Sequence, residues 1–174
     1  MKNLNTAIMI LSCSMLFGCG GSSTAAQEYD AVRLVILNNL AIIQHGINAE
    51  DIFLASQPVS DQFTMDNNVA TRYAAEWTGK GVGEFRNFWN GVFISSANID
   101  FTIVLTELIL SGDIATAYCS TNYTSQQPDI IPPEIKVSSE NDFLQFERVA
   151  GQWLLRRWEA EPEPVHTEGD GGTI

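Results

Sequence analysis

The chain has 174 residues, 45% hydrophobic and only 17% charged, and acidic side chains outnumber basic ones by 21 to 9, for a net charge of −12. That balance argues against a nucleic-acid partner, which is gripped by clustered Lys and Arg that neutralise phosphates, and equally against a grip on anionic lipid by the folded part. The length suits one domain with a real core.

The chain opens with Lys2, an apolar run from Ala7 to Phe17 and Leu16-Phe17-Gly18-Cys19, followed by Gly20-Gly21-Ser22-Ser23. The run falls short of the roughly 20 apolar residues that span a bilayer. A basic start, a short apolar stretch and a small residue before a cut are the marks of a secretory signal. The stretch from Leu16 to Cys19 resembles the processing box of a bacterial lipoprotein signal peptide; Ile10-Leu11-Ser12-Cys13 is a weaker second box, because cutting there leaves an apolar core of only Ala7 to Leu11. The resemblance implies cleavage before Cys19, a diacylglyceryl thioether on its sulfur and a fatty acyl group such as palmitate on its new amino terminus. Two or more acyl chains hold a protein stably on a membrane, where one holds it only marginally. Gly20 stands where lipoproteins retained at the inner membrane carry Asp, so the resemblance implies the outer membrane, facing the periplasm.

This reading divides the chain into a signal peptide (1–18), a lipidated cysteine with a flexible tether (19–27), a globular body (28–159) and an acidic tail (160–174). The Gly/Ser/Ala tether Gly20 to Gln27 reaches roughly 15 Å on average. The tail, with Glu161-Pro162-Glu163-Pro164, has too little apolar surface to offset the entropy of ordering it. Cys13 leaves with the signal and Cys19 is modified, so Cys119 has no disulfide partner. With no nearby Lys, Arg or His to depress its pKa, Cys119 is expected to be buried and inert.

In the body, Val32, Val35, Ile36, Leu40 and Ile43 recur at helical spacing over Glu28 to His45, with Gly46 as the expected terminator. A short second helix is expected over Asn48 to Ala55, capped by Asn48 and ended before Pro58. Gln62 to Met65 and Tyr73 to Trp77 read as strands around a polar turn at Asp66-Asn67-Asn68. Val82 to Phe93 places Phe85, Phe88, Trp89 and Val92 on one helical face. Beyond it, Ile99 to Leu110 alternates as a strand, Ser111-Gly112-Asp113 turns it, and Ile114 to Tyr123 returns. A Pro-containing excursion, Gln126 to Glu140, precedes strands at Asp142 to Val149 and Gln152 to Glu159. Helices first and an antiparallel meander afterwards belong to the α+β class.

This order of elements is similar to that of the nuclear-transport-factor-2-like superfamily, shared with ketosteroid isomerase, scytalone dehydratase and the small polyketide cyclases. The matching pieces are the long first helix, Asp61-Gln62-Phe63, Trp77-Thr78-Gly79-Lys80-Gly81-Val82-Gly83-Glu84-Phe85, the turn Gly112-Asp113-Ile114-Ala115, and Phe146-Glu147-Arg148-Val149-Ala150-Gly151-Gln152-Trp153-Leu154-Leu155. The resemblance implies N-terminal helices packed on a curved, mainly antiparallel sheet, a cystatin-like cone with a pocket open at one end, and pairing of two copies through the sheet. Enzymes of the superfamily place a carboxylate, histidine or tyrosine in that pocket, where an apolar wall shifts its pKa.

No catalytic set matches position by position, and no metal-ligand spacing, nucleotide loop or serine-nucleophile motif is present; no cofactor is expected. Glu107 alternates with Phe101, Ile103 and Leu105, so on the concave side it would be a buried general base, whereas facing solvent it is an ordinary charge, the commoner case. Tyr73, Trp77 and Tyr118, with Tyr123, are the aromatic residues that would line a ligand pocket, although such residues are more often core. Arg148, Arg156 and Arg157 would hold an anion or, more commonly, pair with acids across strands. Because the fold hosts many functions, two readings stand: an envelope-anchored, non-catalytic cone that binds a small apolar molecule or a protein partner, and a small lyase or isomerase that moves a proton in the cone.

Overall fold

The computed structural model describes residues 25–73, 75–127 and 134–160. The signal peptide, Cys19 and the acidic tail from Glu161 onward lie outside the described residues.

Helix α1 (Ala25–Asn48) buries Val32, Ile36, Asn39, Leu40, Ile43, Gly46 and Ile47, one stripe at spacings of three and four. It begins within the expected tether and runs past Gly46, which is not its terminator. A Cβ on Gly46 would lie 2.3 Å from the backbone nitrogen of Ala55, so glycine is there to let the next helix approach. The helix ends instead in a Schellman motif: the Asp51 amide donates to the Gly46 carbonyl at 2.8 Å and the Glu50 amide to that of Ile47 at 3.1 Å. Glu50 takes the left-handed position, at φ 53°. Asp51, not Asn48, then caps α2 (Ile52–Ala55) by accepting from the Leu54 amide at 3.0 Å.

After strand β1 (Val59–Met65), Asp66 caps helix α3 (Asn67–Ala70), and a 3-10 turn, Thr71–Tyr73, follows. Thus the polar stretch expected as a turn is helical, and among the described residues Tyr73 and Ala75 to Trp77 no strand forms; Tyr73 and Trp77 are buried, and side-chain packing rather than strand pairing accounts for their ring character. Helix α4 (Gly81–Ser95) buries Phe85, Phe88, Trp89 and Val92, as the spacing predicts. Gly81 has φ 88°, and a Cβ there would meet the Asp61 carbonyl oxygen at 2.5 Å.

Strands β2 (Ala97–Ser111), β3 (Ile114–Gln126), β4 (Glu134–Val149) and β5 (Gln152–Ala160) complete a five-stranded sheet of order β1-β5-β4-β3-β2. Every pairing is antiparallel except β1 with β5. Much of the Pro-containing excursion is therefore strand, extending β3 and starting β4 earlier. Register shifts interrupt the β2/β3, β3/β4 and β4/β5 ladders, and such bulges bend strands and curve a sheet. The concave face carries Phe101, Ile103, Leu108, Ala115, Ala117, Cys119, Tyr123, Leu144, Phe146, Leu155 and Trp158, all buried with the helices.

The β2 edge is closed by side chains of α1. Asn48 accepts from the Phe101 amide at 2.7 Å and donates to the Phe101 carbonyl at 2.9 Å, Gln44 accepts from the Ile103 amide at 3.0 Å, and the Tyr29 hydroxyl donates to the Leu108 carbonyl at 3.1 Å. Such partners occupy edge groups that otherwise invite another strand. The result is an α+β cone, its helices packed on a curved sheet.

Candidate functional site

The four ring and carboxylate residues singled out in the sequence fall in two places. Tyr73 and Trp77 are buried in the cone. Glu107 and Tyr118 stand opposite each other in the β2/β3 ladder, Glu107 exposed and Tyr118 half-buried. Glu107 does not share the inward face of Phe101 and Ile103. The register shift between Leu105 and Glu107 inserts Thr106 as an extra residue, which reverses the alternation, so that Leu108 turns inward and Glu107 outward. Tyr118 packs edge-to-face on Phe143, with centroids 5.9 Å apart, on the convex side of the sheet. Tyr123, by contrast, is buried beside Tyr73.

Inside the cone, rings fill the space. Tyr73 is at the hub, with the Tyr123 and Trp89 centroids 4.9 and 5.0 Å away and those of Phe88, Trp158 and Phe101 at 6.2, 6.4 and 6.5 Å. Phe63 adds edge contacts to Trp77 and Phe85 at 5.3 and 5.4 Å. Edge-to-face geometry of this kind is the favourable one for ring quadrupoles.

One charge lies within this ring cluster. Asp142 is 0% exposed. Its Oδ1 accepts from Arg72 Nη1 at 2.6 Å and Ser139 Oγ at 2.7 Å, and its Oδ2 from Thr121 Oγ1 at 2.8 Å and Trp158 Nε1 at 3.0 Å. A buried carboxylate needs such compensation in charge and hydrogen bonds. The sequence carried a signal for it that went unused: Asp142 lies in phase with Leu144 and Phe146, on the buried face of its strand.

Neighbouring groups respond to burial and to this charge. The Tyr73 phenol is held far above its usual range, first by burial and then by Asp142; Arg72 and Thr121 pull more weakly the other way. Its hydroxyl makes no well-formed hydrogen bond. The Cys119 thiol is pushed up to about 12, by burial and then by Asp142, so it stays protonated and weakly nucleophilic at neutral pH. Asp142 is already met by four donors, and the phenol and thiol beside it hold their protons tightly.

Trp77 and Phe88 border a small cavity of about 220 Å³ with Glu76, Thr78, Glu84 and Asn87, and α1 with β2 another of about 360 Å³; a larger cleft, of about 540 Å³, lies between α1 and the β4–β5 hairpin. Val32, Val35 and Ile42 of α1 form one apolar wall, and Pro58, Trp153 and Leu154 the other. Buried Asn39 ties the walls together, its Nδ2 donating to the Trp153 carbonyl at 2.7 Å. Glu28 and Arg148 also line the cleft, and Arg148 has only a long contact, 4.0 Å, with Asp113. Arg156 and Arg157 pair instead with Glu147 and Glu159, each at 3.4 Å. Among the described residues, no group of three or more His, Cys, Asp or Glu is placed to hold a metal ion. Sequence reasoning missed the cleft because its walls come from three separate segments, α1, Gln57-Pro58 and the β4–β5 hairpin, the last more than a hundred residues from the first.

No protein-family model matches the sequence, and no curated protein matches it. Solved structures do share its fold. Hexachlorocyclohexane dehydrochlorinase LinA-type3 from Novosphingobium barchaimii LL02 is 12% identical, with a TM-score of 0.65 over 80% of this chain and 92% of that one. The Kfla4162 protein from Kribbella flavida gives a TM-score of 0.65 at 14% identity, over 76% and 90% of the two chains. A protein from Streptomyces avermitilis, classed as a dehydratase of the nuclear-transport-factor-2-like family, gives 0.57 at 16% identity, over 78% of this chain and 99% of that one. At such identities the likeness is one of fold: the chain shares the α+β cone of these structures.

Proposed function

We propose that the chain is a lipoprotein of the bacterial envelope, anchored through acyl groups on Cys19, whose cone domain binds a small apolar molecule without transforming it. The cleft between α1 and β5 is the binding site. One observation carries this choice: rings fill the cone and Asp142, the one buried carboxylate among the described residues, is fully engaged, while the cleft beside it is open and walled by Val32, Val35, Ile42, Pro58, Trp153 and Leu154. Sites for small molecules are typically concave and apolar, with a few polar groups for orientation, and Asn39, Gln57 and Gln152 supply those here. The resemblance of Leu16 to Cys19 to a lipoprotein box supports the anchor. The half-buried Tyr118 and Phe143 support a pairing of two copies through the convex face of the sheet.

Anchoring is tested by the intact mass of protein extracted from membranes. Loss of residues 1–18 with added acyl mass is expected, and Cys19→Ala should release the protein to the soluble fraction. Unmodified, soluble wild-type protein would contradict it. Binding is tested by native mass spectrometry of the purified protein, where a co-purified apolar molecule is expected to be lost in Val35→Asp.

A second reading, a lyase or isomerase that transfers a proton within the cone, is favoured by the dehydrochlorinase and dehydratase among the structural neighbours. Incubation with hexachlorocyclohexane discriminates for the first of these chemistries. No chloride release above the blank is expected, and release abolished by Asp142→Asn would favour the enzyme.

A further inference from the structure

The position of the cleft relative to the amino terminus bears on what fills it. One end of the cleft lies where the first turns of α1, with Glu28 and Ala31, meet the β4–β5 turn, with Arg148, Gly151 and Gln152. The β2–β3 turn closes on the same end, since the Arg148 amide donates to the Asp113 carbonyl at 2.8 Å and Tyr29 is bonded to Leu108. Apolar side chains stand exposed there on a chain that is otherwise acidic: Val35 at 42%, Val149 at 44% and Ile109 at 48%. Chain enters this end at Ala25, six residues beyond Cys19. Six residues span at most about 21 Å and on average about 13 Å.

We propose that this end faces the bilayer and that the cleft takes one acyl chain of a zwitterionic phospholipid from it. The orientation rests on the Cys19 anchor proposed above, whereas the ligand class rests on the cleft itself. Val32 to Ile42 forms an apolar strip about 15 Å long at helical rise, faced by Pro58, Trp153 and Leu154, a long narrow wall that suits a flexible chain. At this end, Arg148 is half-exposed and only loosely engaged by Asp113, which suits a headgroup phosphate, and Glu28 suits the amine of the same headgroup. The net charge of −12 opposes an anionic headgroup. Attachment to the same membrane within six residues of the domain raises the effective concentration of ligand to the order of millimolar.

The test uses full-length protein in phosphatidylcholine vesicles containing a lipid with brominated acyl chains, read by tryptophan fluorescence. Trp77, Trp89 and Trp158 lie in the cone, so quenching is expected to vanish in Trp153→Phe and to weaken about tenfold in Val35→Asp, which puts a charge on the apolar wall. Quenching that survives Val35→Asp reports mere proximity to the membrane and overturns the proposal. So does its absence in wild type together with its appearance in Cys19→Ala, which would mean that the protein's own acyl chain fills the cleft. Intact mass on the same samples separates the two claims. Acylated protein without quenching keeps the anchor and ends the proposed ligand; unacylated protein with Val35-dependent quenching keeps the ligand and ends the anchor.

Discussion

Asp142 is a buried carboxylate held by four donors, three from other elements and one from its own strand: Arg72 from the 3-10 turn, Thr121 from β3, Trp158 from β5 and Ser139 from β4. Removing it leaves those donors unpaired in the core, so Asp142→Ala is expected to cost about 3–5 kcal/mol in urea unfolding; a loss below about 1 kcal/mol would contradict the network. Cys119 makes a prediction about pH. Its unfolded thiol titrates near 9.0, whereas the folded one holds its proton to about 12. The unfolded state therefore binds fewer protons above pH 9, and this contribution, fully present below that pH, is lost as pH rises toward 12. Wild type should lose stability faster than Cys119→Ala across that window, while a parallel decline would show that the thiol is not responsible. The inert character of Cys119 was legible from its lack of basic neighbours. The burial of Asp142 was legible from its phase with Leu144 and Phe146, but its partners were not, because they lie 3, 16, 21 and 70 residues away.

Among the elements, the long helices were legible and their endings less so. The stripe Phe85, Phe88, Trp89 and Val92 predicts α4 because spacing alone decides which face is buried. Gly46 misleads, since glycine serves close approach as readily as a helix end, and only the position of Ala55 distinguishes the two. The true end places Glu50 in the left-handed region; a non-glycine residue there is strained by roughly 1–2 kcal/mol. Glu50→Gly is thus expected to raise the thermal midpoint by an amount corresponding to about 1 kcal/mol, offset in part by unfolded-chain entropy, and a clear fall would contradict the Schellman assignment. In β2, strict alternation allowed Glu107 inside, although a solvent-facing charge was the commoner case; the extra residue at Thr106 reverses the phase and turns it outward. Bulges carry little signal in a single sequence because they depend on the partner strand. Tyr73→Ala and Tyr118→Ala separate the two faces: about 3–5 kcal/mol is expected for the hub of the core and within about 1 kcal/mol for the convex face. Equal costs would contradict the assignment of faces.

At the scale of the molecule, the α+β cone follows from the order of helices and strands, and structures only 12–16% identical share it. Function is decided by which space the rings leave open. Tyr73, Trp89, Tyr123 and Trp158 close the cone, and the shared exit of α1, the β2–β3 turn and the β4–β5 turn leaves a cleft at the end from which the chain runs to Cys19. No helix among the described residues is long and apolar enough to cross a membrane, so attachment in this account rests on the acylated cysteine. The most direct measurement is a crystal structure of the protein with a bromine-labelled acyl lipid, located by anomalous scattering. The account predicts bromine between Val35 and Trp153, with the ring cluster around Tyr73 unchanged. Bromine within the cone, among Tyr73, Trp89 and Trp158, would contradict it.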